Sequence, residues 1–474
     1  MSDNAIKALA ILLGGALVVA GLLLFRPGYF ANTSYLELLL GAEIMLIALA
    51  NYRKAFFPIL IVTFLWAGSA MPMNQGFLQA RWAVLGIAAG AGLAVYLHAR
   101  AHAFRTIHLI ALFCVLSASV SASTSAYPSE ALLKALSLLM LLVYVVAGVR
   151  MAVPVLCPER FFQKLLLACE MLTWVTAVCY FVLRFAIFGN PNSLGAVMAV
   201  GVTPMLLWGF LTAETPQRKL RLNIELLLAW VLLLSSYSRA SIGGAAIASC
   251  LICVSLRQNR LLLKGVAAGI VIAICVAIIL PEESGDPTVE SGSFASAFLY
   301  KGKEDKGFLG SRIGPWRETW NVIRDKPWFG SGFGTSAITA DMTKMDYAAH
   351  HIDAWVIREH GNSYLAILEW TGLLGVVPFY FLAALSAANA GRVFLWVRRS
   401  CDAFSPALPA AAIIVAGLVD AMFEDWLFAV GYYVCVFFWS ISFILADILP
   451  EEAVVYAPQS LALETYYQPV PQVH

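Results

Sequence analysis

The sequence predicts an all-α, polytopic membrane protein with about 12–14 transmembrane helices and one long, partly helical periplasmic loop. Three observations carry that expectation. First, 61% of the 474 residues are hydrophobic and only 13% are charged. So few charges cannot cover a water-exposed surface of this size, whereas lipid tails solvate apolar side chains. Second, the apolar residues fall into runs near the roughly 20 residues that span a bilayer. Third, the basic residues alternate between loops. With the N-terminus placed in the cytoplasm, 17 Lys and Arg fall in cytoplasmic segments and 5 in short outer ones. The positive-inside rule then sets both termini in the cytoplasm.

The candidate spans run at about 6–25, 35–50, 56–72, 82–98, 106–123, 131–149, 163–185, 193–212, 222–237, 240–256, 262–280, 363–388, 406–422 and 426–447, each a run of spanning or near-spanning length. The second is short enough to be half-inserted. The pair meeting at 237–240 has almost no connector, so one broken helix is as good a reading as two. These spans divide the chain into N-terminal membrane helices (1–280), a loop (281–362), C-terminal membrane helices (363–447) and a polar cytoplasmic tail (448–474). The nine cysteines lie mostly in apolar runs and lack metal-ligand spacing, so neither a disulfide framework nor a zinc site is expected. No cofactor, metal or nucleic-acid partner is expected, the net charge being only +2.

The loop faces outside and is the one sizeable polar region. It holds three of the seven histidines, His350, His351 and His360. Ordered loops of that length are usually functional. Its stretch 281–310 is rich in Gly, Ser and charge and is expected to be mobile. In ETWNVIRDKPWF, Trp316, Trp320, Ile323 and Trp328 fall near helical spacing, which predicts an amphipathic helix at the membrane surface.

Several residues could carry chemistry. Arg184 and Arg239 lie at the outer ends of their helices. An arginine near hydrocarbon tends to face a cavity or a partner, although snorkelling to lipid headgroups explains Arg184 equally well. Arg239 sits among Ser235, Ser236, Ser238, Ser241, Gly243 and Gly244. Small residues leave room for an anion, and guanidinium binds phosphate through paired hydrogen bonds without losing its charge. In GNPNSLG, Asn190, Asn192 or Ser193 can cap a helix; the functional version of that reading points the free N–H groups at a ligand. Arg312 and Trp316 are four apart and share a helical face, where a cation–π contact is possible. The GSGFG turn lacks the strand and lysine of a phosphate loop, so it reads as a turn that aims the segment after it. His360, flanked by Arg358, Glu359, Asn362 and Tyr364, is a general-base candidate, with an ordinary pKa of about 6.5. Helix capping by His360 and Asn362 is the plainer alternative. Asp420, Glu424 and Asp425, at a helix–loop junction, could bind acceptor hydroxyls, but solvated surface is the preferred reading.

The order SxSR, SRxxxW, PxxGxG and HGNSYL, followed by ExxGxxG, resembles the O-antigen ligase and polymerase superfamily over about Gly189 to Gly375. The resemblance implies a GT-C type membrane glycosyltransferase. It would move a glycan from undecaprenyl diphosphate to an acceptor hydroxyl, either lipid A-core or another lipid-linked glycan. The reaction would be inverting and metal-independent. The family arginines that engage the diphosphate map onto Arg239 and Arg312, and the catalytic histidine onto His360. Arg184, Asn192, Trp316, Arg358, Asn362 and Tyr364 are the expected donor and glycan contacts. Two departures stand out: Gly361 separates His360 from Asn362, where the family reads His directly before Asn, and fourteen spans exceed the family's twelve. Should the insertion swing the imidazole away, Glu359 is the substitute base. The rival reading from another class is a transporter or flippase for lipid-linked sugars; the absence of visible internal symmetry argues against it.

Overall fold

The computed structural model describes residues 3–25, 28, 33–50, 52–71, 74–99, 104–153, 157–279, 310–336 and 360–450, and all its regular elements are helical. The helices are α1 (Asp3–Phe25), α2 (Thr33–Ala50), α3 (Tyr52–Ala67), α4 (Asn74–Ala99), α5 (Thr106–Ser123), α6 (Pro128–Val143), α7 (Pro158–Ala177), α8 (Pro191–Ala196), α9 (Thr203–Leu211), α10 (Pro216–Ser235), α11 (Arg239–Ser255) and α12 (Asn259–Ile279). They continue with α13 (Gly310–Asp325), α14 (Ser363–Gly375), α15 (Val377–Ser400), α16 (Ala407–Asp420) and α17 (Tyr433–Ile448). Among the described residues, six helical segments are long and apolar enough to cross a membrane, and shorter apolar helices pack beside them. Of the mobile stretch expected at 281–310, all but Gly310, which begins α13, lies outside the described residues, as do His350, His351, Arg358, Glu359 and the tail beyond 450.

The core follows from composition. The segment Pro191–Leu211, α16 and α17 are apolar on every side and almost wholly buried, with Trp439, Phe438 and Phe443 inaccessible. A helix apolar all round belongs in the middle of a bundle. Helix α1 and the described part of α12 instead expose leucines, isoleucines and valines, the surface that lipid would cover. Small residues bring α11 and α16 together: a Cβ on Gly244 would stand 2.7 Å from the Ala416 carbonyl oxygen. Close backbone approach through Gly and Ala is the usual device of membrane helix packing. At the opposite end from the site, Arg150 is buried and forks onto Asp447 at 2.5 and 2.8 Å. That pair ties the end of α17 to the segment following α6.

Three expectations change. The span read as 363–388 is two helices, because Gly372 takes a left-handed φ of 67° and breaks the ladder. The freed amides of Leu373 and Leu374 donate to Pro327 and Trp328 carbonyls at 2.8 and 3.2 Å. In return, Ser331 and Gly332 amides donate to Glu369 and Trp370. The GSGFG turn therefore seals a broken helix, and Gly330 and Gly372 allow the two backbones to touch. The last span begins at Tyr433; residues 421–432 form turns stitched to Asp420 and Ser363. Third, the amphipathic helix forms as α13, but Val322, Ile323 and Thr319 make its buried face, while Trp320 is 53% exposed and Trp328 is also exposed. Contact with α14 fixes that rotation, and apolar spacing alone does not encode it. The 237–240 junction resolves into two helices, because Tyr237 turns the chain at φ 50°.

Candidate functional site

The site lies where α8, α11, α14 and α16 meet the turn 421–432. Helix α8 begins at Asn190, whose side chain accepts the Asn192 amide at 2.9 Å. Asn190 is thus the cap, and Asn192 is the residue capped. A Cβ on Gly195 would collide with Ser236, Ser238 and Ser241, so the GNPNSLG segment packs directly on the serines around Arg239. Ser238 and Ser241 hydroxyls lie 2.8 Å apart, and Ser241 donates to Asp420 at 2.6 Å. The Trp426 indole donates to the other oxygen of Asp420 at 2.7 Å.

Arg312 reaches this place from α13. Its Nη2 donates to Glu424 Oε1. Asp420, four residues before Glu424, holds Ser241 in the first turn of α11, the helix that Arg239 begins. Trp316, one turn further along α13, donates its indole N–H to the Gly361 carbonyl at 3.1 Å and leans on Phe423. Gly361 has φ 62°, and a Cβ there would lie 2.6 Å from Arg312 Nη1. The additional residue is thus a left-handed bend beneath a guanidinium, and the insertion leaves His360 within the cluster.

His360 is 1% exposed. Its backbone amide donates to Asp425 at 2.9 Å, and its Nδ1 lies 3.4 Å from the same oxygen. On the other side, Nε2 faces Ser336 Oγ at 3.2 Å and Glu369 Oε2 at 3.4 Å. Trp370 meets the ring edge-on. Burial alone would push the imidazole down, but hydrogen bonds and charge from Asp425 and Glu369 outweigh it and hold the ring above its ordinary value. Asp425 resists burial for the same reason and is held low by His360. Glu424 differs: burial pushes its carboxyl up to about 7 against the pull of Arg312, and Asp420 and Asp425 add to the rise.

The sequence candidates therefore divide. Arg239, Arg312, Trp316 and His360 come together, with Asn362 and Tyr364 beside them. Asn362 caps α14 by accepting the Tyr364 and Leu365 amides. The Tyr364 hydroxyl donates to the Leu418 carbonyl. Arg184 is exposed in a left-handed turn at φ 52° and takes part in none of the described contacts that build the cluster. The reading of Asp420, Glu424 and Asp425 as solvated surface is overturned: Asp420 is 0% exposed, and the other two bind Arg312 and His360. Glu369 and Ser336 were also missed. An acid inside the apolar run SYLAILEWTGLLG is the signal that points to Glu369, because such a placement is costly unless it is used.

The paired groups predict a pH effect on stability. A raised histidine stabilises the fold fully below its unfolded value of about 6.5 and loses that contribution as pH rises through the folded one. Thermal melting is expected to shift down over that window in the wild type, and His360→Gln is expected to abolish the shift. The rise of Glu424 acts in the same direction at lower pH, between its ordinary carboxylate value and about 7, so the part that His360→Gln removes is the upper one. A melting curve unchanged by the substitution would mean that the ring is neutral in the fold.

Fold and site together define a polytopic α-helical membrane protein with a buried cluster of arginines, histidine and carboxylates at one end of its bundle. Residues 224–380 match the family model described as O-antigen ligase. The match supports the O-antigen ligase and polymerase superfamily, whose members are membrane glycosyltransferases of ligase or polymerase type. The matched stretch contains Arg239, Arg312, His360 and Glu369, while the acids of the 420–425 turn lie beyond it. No curated protein matches the chain.

Proposed function

We propose that the chain transfers a glycan from undecaprenyl diphosphate to an acceptor hydroxyl at the periplasmic face of the bacterial inner membrane. The acceptor is lipid A-core or a second lipid-linked glycan, and the reaction is inverting and metal-independent. The observation that carries the reading is that Arg312 binds Glu424 while Asp420, four residues earlier, holds Ser241 in the first turn of α11, the helix that Arg239 begins. Lipid diphosphate is the leaving group, and negative charge grows on it as the glycosidic bond breaks. Two fixed guanidinium groups aimed at that charge favour the transition state over the ground state, a task that many transferases give to a divalent cation. The serines of α10 and α11 and the capped start of α8 line the same place.

In this scheme His360 takes the proton of the acceptor hydroxyl, and Asp425 and Glu369, each 3.4 Å from its ring, hold the positive charge that the ring then carries. The test is bond formation by purified chain in vesicles, given undecaprenyl-diphosphate-linked glycan extracted from a deletion strain. New glycosidic bonds, formed equally well in excess chelator, are expected. Transbilayer movement of an unchanged glycan would instead indicate a transporter. Loss of activity that Mg²⁺ or Mn²⁺ restores would end the metal-independent scheme.

A further inference from the structure

We infer that α13 docks on the phospholipid surface of the leaflet nearest the site, through a flank made of Ile313, Arg317, Trp320 and Arg324 and continued by Trp328 and Phe329.

The first observation is how α13 sorts its side chains. Thr319, Val322 and Ile323 are buried, on the face that meets α14. Arg312 and Trp316 reach into the site beside that face. Ile313, Arg317, Trp320 and Arg324 follow one another by four, three and four residues, so at 3.6 residues per turn they share a flank. All four are exposed. Glu318 and Asp325, seven apart, fall on the other flank. Apolar and basic groups thus share one side, and the acids take the other. A helix lying in a bilayer surface is built this way: its apolar side chains enter the acyl boundary, and the arginine heads beside them reach the phosphates. A helix bathed only in water gains nothing from that sorting.

The second observation is height. Helix α15 has 24 residues, with Arg398 and Arg399 in its last turn. At 1.5 Å per residue it is about 36 Å long, enough to cross a hydrocarbon core of roughly 30 Å by itself. Its first residues therefore mark the membrane boundary on the side of the site. Trp328 is tied to that boundary, because its carbonyl accepts the Leu374 amide at 3.2 Å and the Pro327 carbonyl accepts the Leu373 amide at 2.8 Å. Trp328 and Phe329 are exposed, as are Leu373, Leu374 and Val377. The apolar surface of the span thus runs on to the segment that ends α13. Tryptophan favours that depth, where its ring meets acyl chains and its N–H meets headgroups. One consequence concerns the site. Arg312 and Trp316 belong to the same helix, so lipid contact along one flank fixes the height of the Arg312 guanidinium near the plane of the lipid phosphates.

The experiment puts the photoreactive residue benzoylphenylalanine in place of Trp320 in the full-length chain. The protein is held in nanodiscs of phosphatidylethanolamine and phosphatidylglycerol, and the adducts formed on irradiation are weighed by mass spectrometry. Several times as many phospholipid adducts are expected from position 320 as from the same probe in place of Asp325, on the other flank. The yield should approach that of the probe in place of Phe381, on the exposed face of α15. No more adducts at 320 than at 325 overturns the inference. Adducts that form only with an added lipid-linked glycan also overturn it, since the flank would then bind sugar. Should the chain with the probe at 320 fail to fold, the probe in place of Ile313 is read in the same way. Replacing both arginines (Arg317→Gln with Arg324→Gln) should lower the share of phosphatidylglycerol among the adducts by about fivefold or more, the weight of a basic residue or two at an anionic surface. An unchanged share overturns the part given to the arginines. The readout needs no glycosidic bond, so a chain that transfers nothing leaves this inference standing.

Discussion

Arg312→Ala and Arg239→Ala are each expected to lower glycan transfer by roughly 10²–10³-fold, the range found when one preorganised donor to a developing anion is removed. The loss should appear in kcat, because the charge that the arginines stabilise is larger in the transition state than in the bound donor. Arg312→Ala carries a second cost. Glu424 is mostly buried and would lose its cation, so its carboxyl would rise further and hold its proton at neutral pH. Arg312→Lys separates the two effects: it returns a charge to Glu424 but lacks the planar fork that grips a diphosphate, and intermediate activity is expected. The measurement is transfer in vesicles, with thermal melting as the check on folding. Activity near wild type in either alanine variant would remove the electrostatic basis of the proposed function.

Gly361→Ala should be nearly as damaging to activity while sparing the bundle. The residue has φ 62°, a conformation costing a side-chain-bearing residue about 1–3 kcal/mol. The new methyl would also stand 2.6 Å from Arg312 Nη1 and 3.0 Å from its Cδ. The guanidinium must move, and a displacement on the order of 1 Å at a reacting group can cost roughly 100-fold in rate. Melting should change by only a few degrees, because Gly361, although buried, lies in the turn before α14 and outside every helix. A fully active Gly361→Ala would show that the position of Arg312 is set elsewhere, for instance by Trp316 on the same helix.

Much of this site is legible in the order of residues. Arg239 declares itself through its serine and glycine surroundings, Arg312 through its spacing from Trp316, and His360 through the turn before α14. Each signal is local and spans ten residues or fewer. The cap at the start of α8 is legible for the same reason: Asn before Pro at a helix start has few other uses. The misreadings share one cause as well. Asp420, Glu424 and Asp425 look like an ordinary solvated junction because their partners, Ser241, Arg312 and His360, lie 65 to 179 residues away in sequence. The break at Gly372 is invisible because a single glycine is tolerated within many apolar helices. Only the backbone of 327–332 lying alongside makes the interruption stable.

Hydropathy and motif order already specified a helical bundle that prefers lipid, and the arginines and histidine that the fold brings together at one end of it. These properties are sums over neighbouring residues, and a chain displays them in its order of side chains. Which carboxylate meets which cation, and which of them remains basic, was decided by packing. Burial lifts Glu424 and holds Asp420 inaccessible, while the charge of His360 keeps Asp425 low. The protonation of a buried group depends on the field of everything around it, and that field exists only once the helices have come together.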